Sequence, residues 1–428
     1  MIKVNFLFLE RIDISSLITT KNNEMKNQLL LFMILVTLSS TAQEFTNYTE
    51  ADGVIPGVVY EVIQDADGDI WSVGWTESDF PGIGRFDGST WTQFGIEDGA
   101  HSNAMLSSLQ DSNGNYWFGS VPFFGDDGVS RFDGTTWTHY STADGLAGEN
   151  VEDIIEDTEG NIWFATGGGA SVFDGTSFTN YTTDNGLPFA GLTSVIQDSD
   201  GDFWFGTFDN GAIRFDGTTF TSFTTEDGLA SNDVSRVFQD SNGLYWFGTG
   251  FSNTGLTLYD GTTFTIFNTA DGLAGNDVRE MAEDQNGNVW FAGNLGVTYY
   301  NGANFNILNT TDGLLNDLVR GIEVDTDGNI WFGVLGGISV LTANSLSTSE
   351  EVQTTFSVFP NPVQNEFNIQ TENGTEIKRV NLYDVTGALV ASQENTSTLD
   401  ISKLSSAIYF AQIVGSNQQE QTIKIIKE

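Results

Sequence analysis

The sequence contains no cysteine and only two histidines, His101 and His139, among 428 residues. The absence of cysteine excludes disulfides, thiolate metal sites and cysteine nucleophiles. The scarcity of histidine removes most candidates for a general base, and no Gly-x-Ser-x-Gly, His-Glu-x-x-His or phosphate-loop motif occurs. The composition therefore gives little support for an enzyme, and a carboxylate mechanism such as glycoside hydrolysis is the alternative that stays open.

Positive charge is also scarce. The formal net charge is −43, and residues 44–342 hold 45 acidic residues against six arginines and no lysine. Nucleic acids and anionic membranes bind basic surfaces, so neither is expected as a partner. Two explanations of the acidity remain: solubility combined with Asp-rich turns, or adaptation to salt and cation binding.

The apolar run Leu29–Leu38 is too short to span a bilayer. It follows Lys26 and precedes the small residues Ser39–Ala42, a pattern typical of a cleavable export signal. We therefore predict a signal peptide over 25–42, a mis-assigned upstream extension over 1–24, and no stable membrane span.

Tryptophan recurs seven times at intervals of 41 to 46 residues, each time after an acidic turn. The series comprises Trp71, Trp117, Trp163, Trp204, Trp246, Trp290 and Trp331. The first six units continue into a Phe-Asp-Gly or related hairpin and a Thr/aromatic strand. Repeats of this length with four short strands predict a β-propeller.

The hairpin and fourth strand occur only six times, whereas the Trp strand occurs seven times. The missing copy stands at the other end of the repeats, where Phe45-Thr46-Asn47-Tyr48 matches Phe178-Thr179-Asn180-Tyr181. We therefore predict an all-β, seven-bladed propeller over 44–344, in which the N-terminal strand completes the last blade and leaves no open edge.

The acidic turns, such as Asp198-x-Asp200-Gly201-Asp202, have some of the spacing of calcium loops. None carries the complete ligand pattern of an EF-hand, and each leads directly into a strand. Hairpin chemistry is the preferred interpretation and calcium binding the alternative, so no cofactor is predicted.

Two longer loops carry aromatic residues: Trp75 and Phe80 in the first blade, and Phe123 and Phe124 in the second. Such side chains suit carbohydrate stacking or a protein contact. The alternative is that they pack on their own blades.

The innermost strands vary at their early positions, near the mouth of the predicted central channel. Arg236, Arg279 and Arg320 lie on three consecutive blades, and Tyr60 and Glu61 lie on the next. Three guanidinium groups could hold a carboxylate or sulfate. Alternatively, they neutralise acidic neighbours, for which the candidates are Glu152, Asp153 and Glu280.

The repeats resemble the two-component-regulator propeller family, as in Val234-x-x-Val237-x-x-Asp240-x-x-Gly243-x-x-Trp246-x-Gly248-Thr249. This resemblance implies a periplasmic sensor region that perceives polysaccharide fragments. The segment 355–428 resembles the type A sorting domain of type IX secretion, through Phe359-Pro360-Asn361-Pro362 and Val380-Asn381-Leu382-Tyr383-Asp384. That resemblance implies contact with the type IX machinery, export through the periplasm, and release or surface attachment.

These observations predict a linker over 345–354 and a small immunoglobulin-like β-sandwich over 355–428. The function expected from the sequence is a secreted or cell-surface binding module for a glycan. A protein scaffold or adhesin is the first alternative, and a carbohydrate-active hydrolase or lyase is the second.

Overall fold

The computed structural model describes residues 45–75, 80–121, 128–250, 252, 254–343, 356–359, 362–371, 376–384, 389–415 and 420–427. The predicted signal peptide and the upstream extension lie outside these residues. The chain divides into two compact units, Met1–Ser345 and Leu346–Glu428. None of the described segments forms an apolar helix of membrane-spanning length.

The first unit consists of seven four-stranded antiparallel sheets, which are the blades of a propeller. Blades 1 to 3 are β2–β5 (Val58–Gln64, Ile70–Trp75, Ile83–Phe86, Trp91–Phe94), β6–β9 (Met105–Gln110, Tyr116–Ser120, Val129–Phe132, Trp137–Tyr140) and β10–β13 (Val151–Glu156, Ile162–Thr166, Gly169–Phe173, Phe178–Tyr181). Blades 4 to 6 are β14–β17 (Leu192–Gln197, Phe203–Thr207, Ala212–Phe215, Phe220–Phe223), β18–β21 (Arg236–Gln239, Tyr245–Gly248, Leu256–Tyr259, Phe264–Phe267) and β22–β25 (Glu280–Glu283, Val289–Gly293, Gly296–Tyr300, Phe305–Leu308). Short 3-10 turns lie at Glu50–Asp52, Ile96–Asp98, Thr142–Asp144 and Thr183–Asn185.

Blade 7 combines the two ends of the propeller. Its strands are β26 (Val319–Val324), β27 (Ile330–Val334), β28 (Gly337–Leu341) and, as the outermost strand, β1 (Phe45–Thr49). The N-terminal strand pairs with β28 in continuous register from Phe45 opposite Leu341 to Thr49 opposite Gly337. The structure thus confirms the seven-bladed fold and its closure by the N-terminal strand.

The seven repeated tryptophans form the core between blades. Each is at most 7% exposed, because its ring packs against the second strand or hairpin of the following blade. Trp71 lies 4.2 Å from Tyr116, and Trp163 lies 3.8 Å from Phe203, measured between ring centroids. A large aromatic side chain at this position buries apolar surface on both blades and fixes their separation.

Hydrogen bonds between the acidic turns and the neighbouring inner strands join successive blades. The amide N–H after the first Asp donates to the Gln or Glu that ends the next inner strand. The pairs are Ala66–Gln110, Ser112–Glu156, Thr158–Gln197, Ser199–Gln239, Ser241–Glu283 and Thr326–Gln64. Val324 cannot accept such a bond between blades 6 and 7, and there the Gln285 side chain donates to the Thr326 carbonyl instead. These contacts hold the inner strands in a fixed ring.

The second unit contains two sheets, with strand orders β29-β30-β33 and β32-β31-β34-β35. Their bounds are Phe356–Phe359, Glu366–Thr371, Ile377–Asp384, Leu389–Glu394, Thr398–Asp400, Ala407–Gly415 and Glu420–Lys427 for β29 to β35. Both sheets contribute to one core, with Phe367 from the first and Val380 and Leu382 from the second all fully buried. This arrangement fits the predicted small β-sandwich.

Candidate functional site

The acidic turns serve the hairpins in which they lie. In blade 4, Oδ1 of Asp198 accepts from the backbone N–H groups of Asp200 and Asp202, at 3.0 and 2.9 Å. Its Oδ2 accepts from Trp204 Nε1 and from the Tyr245 hydroxyl of the next blade, both at 2.8 Å. The indole bond recurs in all seven blades, between Asp65–Trp71, Asp111–Trp117, Asp157–Trp163, Asp198–Trp204, Asp240–Trp246, Asp284–Trp290 and Asp325–Trp331.

These donors occupy the oxygens that a calcium ion would need. At Asp65, burial acts to raise the carboxyl pKa, but hydrogen bonds from Tyr116, Trp71 and the backbone outweigh it and lower the pKa. No group of three or more acidic or histidine side chains within the described ranges is arranged to hold a metal ion. The turns therefore have the structural role that the hairpin interpretation assigned to them.

A cavity of about 520 Å³ lies at the mouth of the central channel, on the face formed by the connections between blades. Its wall includes one residue from each inner strand or the residue just before it: Tyr60, Leu106, Glu152, Thr193, Ser235, Arg279 and Arg320. Val121, Asn150, Phe208, Asp233 and Arg236 complete the lining. We call these twelve residues the channel-mouth cavity.

A β-bulge explains why this position lines the cavity. In β2, Val59 is opposite Gly74 and Glu61 is opposite Val73, so Tyr60 is an extra residue. The same register shift leaves Leu106, Glu152, Thr193 and Arg320 as extra residues in four other blades. A bulge redirects its side chain out of the regular alternation, and here five of the seven wall residues lie at bulges.

The structure brings the three predicted arginines to one cavity and gives each an acidic partner. Arg236 forms ion pairs with Asp153, at 2.9 Å, and with Glu280. Arg279 Nε donates to Asp277 Oδ1 at 2.6 Å. These contacts support the neutralisation alternative over a free guanidinium cluster. Asp277 was not selected from the sequence as a partner, because it precedes the inner strand and the sequence does not show that Arg279 and Arg320 share it.

Asp277 also faces Arg320, at a longer distance than Arg279. Its Nη2 donates to Asn294 Oδ1 at 2.8 Å, whereas its Nη1 lies 3.6 Å from Asp277 Oδ2. Neither Nη1 nor Asp277 Oδ2 has a hydrogen-bond partner within the described part of the chain, although both atoms are buried. Burial, together with the charge of Arg279, lowers the pKa of Arg320, while Asp277 and Tyr60 act against this shift. Arg320 and Asp277 thus form a long, buried ion pair, of which Arg320 lines the cavity and Asp277 does not.

Glu61 faces a different space from Tyr60. It lines a second cavity of about 390 Å³, deeper in the channel, together with Glu280, Glu283 and Glu323. Burial raises the pKa of Glu61 to about 8, reinforced by Asp153 and opposed by Arg236 and Ser108. Burial likewise raises the pKa of Glu323 to about 7. The expectation that Glu61 shares a site with Tyr60 is not met, because consecutive residues at the bulge point into separate cavities.

Glu323 was not among the residues selected from the sequence. At its position the other inner strands carry apolar residues: Ile63, Leu109, Ile155, Ile196, Phe238 and Ala282. Glu323 is the one carboxylate at an aligned position that is apolar in the other six inner strands, and this difference could have identified it from the sequence.

The aromatic residues of the first-blade loop are exposed and do not belong to the channel-mouth cavity. Trp75 is 41% exposed and Phe80 is 43% exposed. Phe123 and Phe124 lie outside the described residues. The rings of His101 and His139 stack on each other with centroids 3.4 Å apart, away from the cavity lining.

Comparison with known proteins agrees with this architecture. A family model described as "Two component regulator propeller" matches residues 145–168, 186–209, 228–251 and 272–294. A second model, "Secretion system C-terminal sorting domain", matches residues 357–428. No curated protein matches the sequence.

Several solved structures share the fold at low identity. The extracellular domain of BT3049 from B. thetaiotaomicron, described as a hybrid two component system, is 21% identical with a TM-score of 0.61, over 90% of this chain and 57% of that one. PorZ of Porphyromonas gingivalis, a surface component of the type-IX secretion system, is 16% identical with a TM-score of 0.52, over 87% and 59%. A virginiamycin B lyase from Staphylococcus aureus is 16% identical with a TM-score of 0.56, over 70% and 99%.

This chain thus spans less than two thirds of the length of the BT3049 and PorZ structures. At these identities the likeness shows a common fold. Together with the two family models, it establishes that the chain carries repeats of the two component regulator propeller family, followed by a secretion system C-terminal sorting domain that directs it to the cell surface or out of the cell.

Proposed function

We propose that the exported propeller binds neutral, hydroxyl-rich glycans in the channel-mouth cavity. The observation that carries this proposal is the mixed character of the cavity lining, in which the guanidinium groups of Arg279 and Arg320 lie among neutral polar and apolar side chains. A ligand with many hydroxyl groups can form hydrogen bonds with the polar part of such a wall and pack on the apolar part.

A sugar hydroxyl suits this lining because one hydroxyl group both donates and accepts. It can accept from a guanidinium such as that of Arg320 and donate to a carboxylate of the lining, Glu152 or Asp233. A carboxylate or sulfate could accept from Arg320, but it would bring a further negative charge against Glu152 and Asp233. The acidity of the propeller, net −39 over residues 44–342, adds to this repulsion.

The rest of the lining supports the same ligand class. Asn150, Thr193 and Ser235 offer polar groups, and Leu106 and Phe208 offer apolar surface. Pyranose rings present hydroxyls at their edges and C–H groups on their faces, so a mixed wall matches them. The cavity volume of about 520 Å³ lies within the range of small-molecule sites.

A binding role is preferred over catalysis. The virginiamycin B lyase with the same fold is described in an inactive form in which a histidine is replaced by alanine. Neither histidine of this chain lines the channel-mouth cavity. The propeller repeats and the sorting domain also fit a secreted, non-catalytic module.

The test is a glycan array probed with the purified propeller, using neutral glucan, mannan, xylan and galactan oligosaccharides beside uronic and sulfated ones. We expect binding of a neutral class without turnover. Preference for the anionic series would contradict the role given to Glu152 and Asp233. Absence of binding to any glycan would favour the protein scaffold, and release of products would favour an enzyme.

A further inference from the structure

We infer that the channel-mouth cavity receives the end of a glycan chain and excludes its interior. This inference rests on the proposed function and specifies the form of the ligand. It follows from the floor of the cavity, which is closed by charged side chains that cross the channel.

Arg236 forms this floor. Its side chain lines the channel-mouth cavity, and its partner Glu280 lines the deeper cavity. The ion pair between them therefore stands at the boundary of the two spaces. The second partner, Asp153, belongs to blade 3, whereas Arg236 belongs to blade 5, so the guanidinium bridges non-adjacent blades.

Backbone hydrogen bonds hold the floor in place. Asp153 Oδ2 accepts from the Val195 N–H at 2.9 Å, and Asp153 Oδ1 accepts from the Ile154 N–H at 3.0 Å. Glu280 Oε1 accepts from the Met281 N–H at 2.9 Å. Carboxylates fixed in this way keep the buried guanidinium in one position, because moving it would leave paired charges unsatisfied.

The arginines of the cavity wall are largely buried. The side chain of Arg279 is 19% exposed and that of Arg320 is 17% exposed. A sugar residue must therefore enter the cavity to reach them. An interior residue of a polymer is linked on both sides, so it could enter a cavity with one opening only if the chain folded back on itself. A terminal residue is linked on one side and enters directly.

The first experiment counts binding sites on chains of different length. Neutral glucan, mannan, xylan and galactan, each prepared in a long and a short form, are titrated calorimetrically with the full chain. We expect the number of sites per gram to scale with the number of chain ends, so that halving the chain length doubles it. A number of sites per gram that is independent of length would overturn end recognition while leaving glycan binding intact. No binding to any polymer or oligosaccharide would overturn the proposed function together with this inference.

The second experiment identifies the end. The hexasaccharide of the bound class is coupled to a bulky fluorophore at its reducing end or at its non-reducing end. We expect one of the two conjugates to lose at least tenfold in affinity and the other to bind as the free sugar does. Equal binding of both conjugates would contradict the inference. Arg214→Gln, which alters an ion pair with Asp202 away from the cavity, serves as the matched protein control and should bind as the wild type does.

Discussion

Asp198 and Trp204 are joined by a 2.8 Å hydrogen bond from the indole Nε1 to Oδ2, and the same carboxyl oxygen also accepts from Tyr245 of the following blade. One carboxylate thus closes its own hairpin and joins two blades. The first Asp of each acidic turn and the Trp that follows it therefore act together as one structural unit of the repeat.

Replacing Asp198 by Ala should therefore destabilise the propeller strongly. The change leaves a buried indole N–H, a tyrosine hydroxyl and two backbone N–H groups without their acceptor. At about 1–3 kcal/mol for each buried unsatisfied group, we expect a loss of at least roughly 3 kcal/mol in the free energy of unfolding, measured by urea denaturation. Asp200→Ala in the same exposed turn is the control and should change stability by less than about 0.5 kcal/mol. Equal effects of the two substitutions would contradict the role given to Asp198.

The closing strand should contribute as much to stability as a strand inside the ring. Tyr48 stacks on Trp331 at 6.1 Å and 5°, as Tyr181 stacks on Trp163 at 5.6 Å and 3°. We expect Tyr48→Ala and Tyr181→Ala each to cost about 2 kcal/mol, less than a fully buried aromatic side chain, because both tyrosines are partly buried. Thermal and urea denaturation measure both. A much smaller cost for Tyr48→Ala would mean that the N-terminal strand does not hold the ring closed.

The deeper cavity predicts a loss of stability as the pH rises from about 4.5 to about 8. The pKa of Glu61 is about 8 in the folded protein, above its ordinary value, so the folded state binds the proton more tightly than the unfolded state does. Its contribution is complete below the unfolded pKa and is lost as the pH rises through about 8, an effect on the order of a few kcal/mol. Glu323, with a pKa of about 7, acts in the same direction.

Glu61→Gln should reduce the fall in melting temperature between pH 6 and pH 9, and Glu61→Gln/Glu323→Gln should abolish most of it. The Gln carbonyl can still accept from the Ser108 hydroxyl, which donates to Glu61 at 2.9 Å, so the local geometry is kept. Glu226→Gln, at an exposed turn, is the control. If the double variant lost stability with rising pH as steeply as the wild type, the conclusion that Glu61 and Glu323 are protonated in the folded protein would be contradicted.

The carboxylate of Glu152, which lines the cavity, should set the charge preference of the binding site. Glu152→Gln removes the repulsion of anions and weakens the acceptor for a sugar hydroxyl. We expect affinity for the neutral oligosaccharide to fall about tenfold, the size of one hydrogen bond to a charged group, and affinity for its uronic analogue to rise. Isothermal titration of both sugars measures this reversal. Glu226→Gln, at an exposed turn, is the control, and a parallel change for both sugars would argue against a direct contact with Glu152.

The repeat made the scaffold predictable, down to the pairing of Phe45–Tyr48 with the last blade. Periodicity also located Tyr60, Arg279 and Arg320 near the channel mouth. It could not give the bulge, because the extra residue alters side-chain direction without altering the spacing of the repeat. For that reason Glu61 was grouped with Tyr60, although the two side chains face separate cavities. The sequence also did not show the partners of the arginines, since Arg236 in blade 5 pairs with Asp153 in blade 3, past the intervening blade 4.

The completion of blade 7 by β1 also affects the order of folding. Asn47 Oδ1 accepts from the Ser339 hydroxyl at 2.7 Å across 292 residues of sequence. Contacts of such long range carry a high entropy of loop closure and slow the folding of a chain. Strand β1 can therefore pair only after the last hairpin, β27–β28, has formed. The rate at which the ring closes then depends on how fast the two ends of the propeller come into contact.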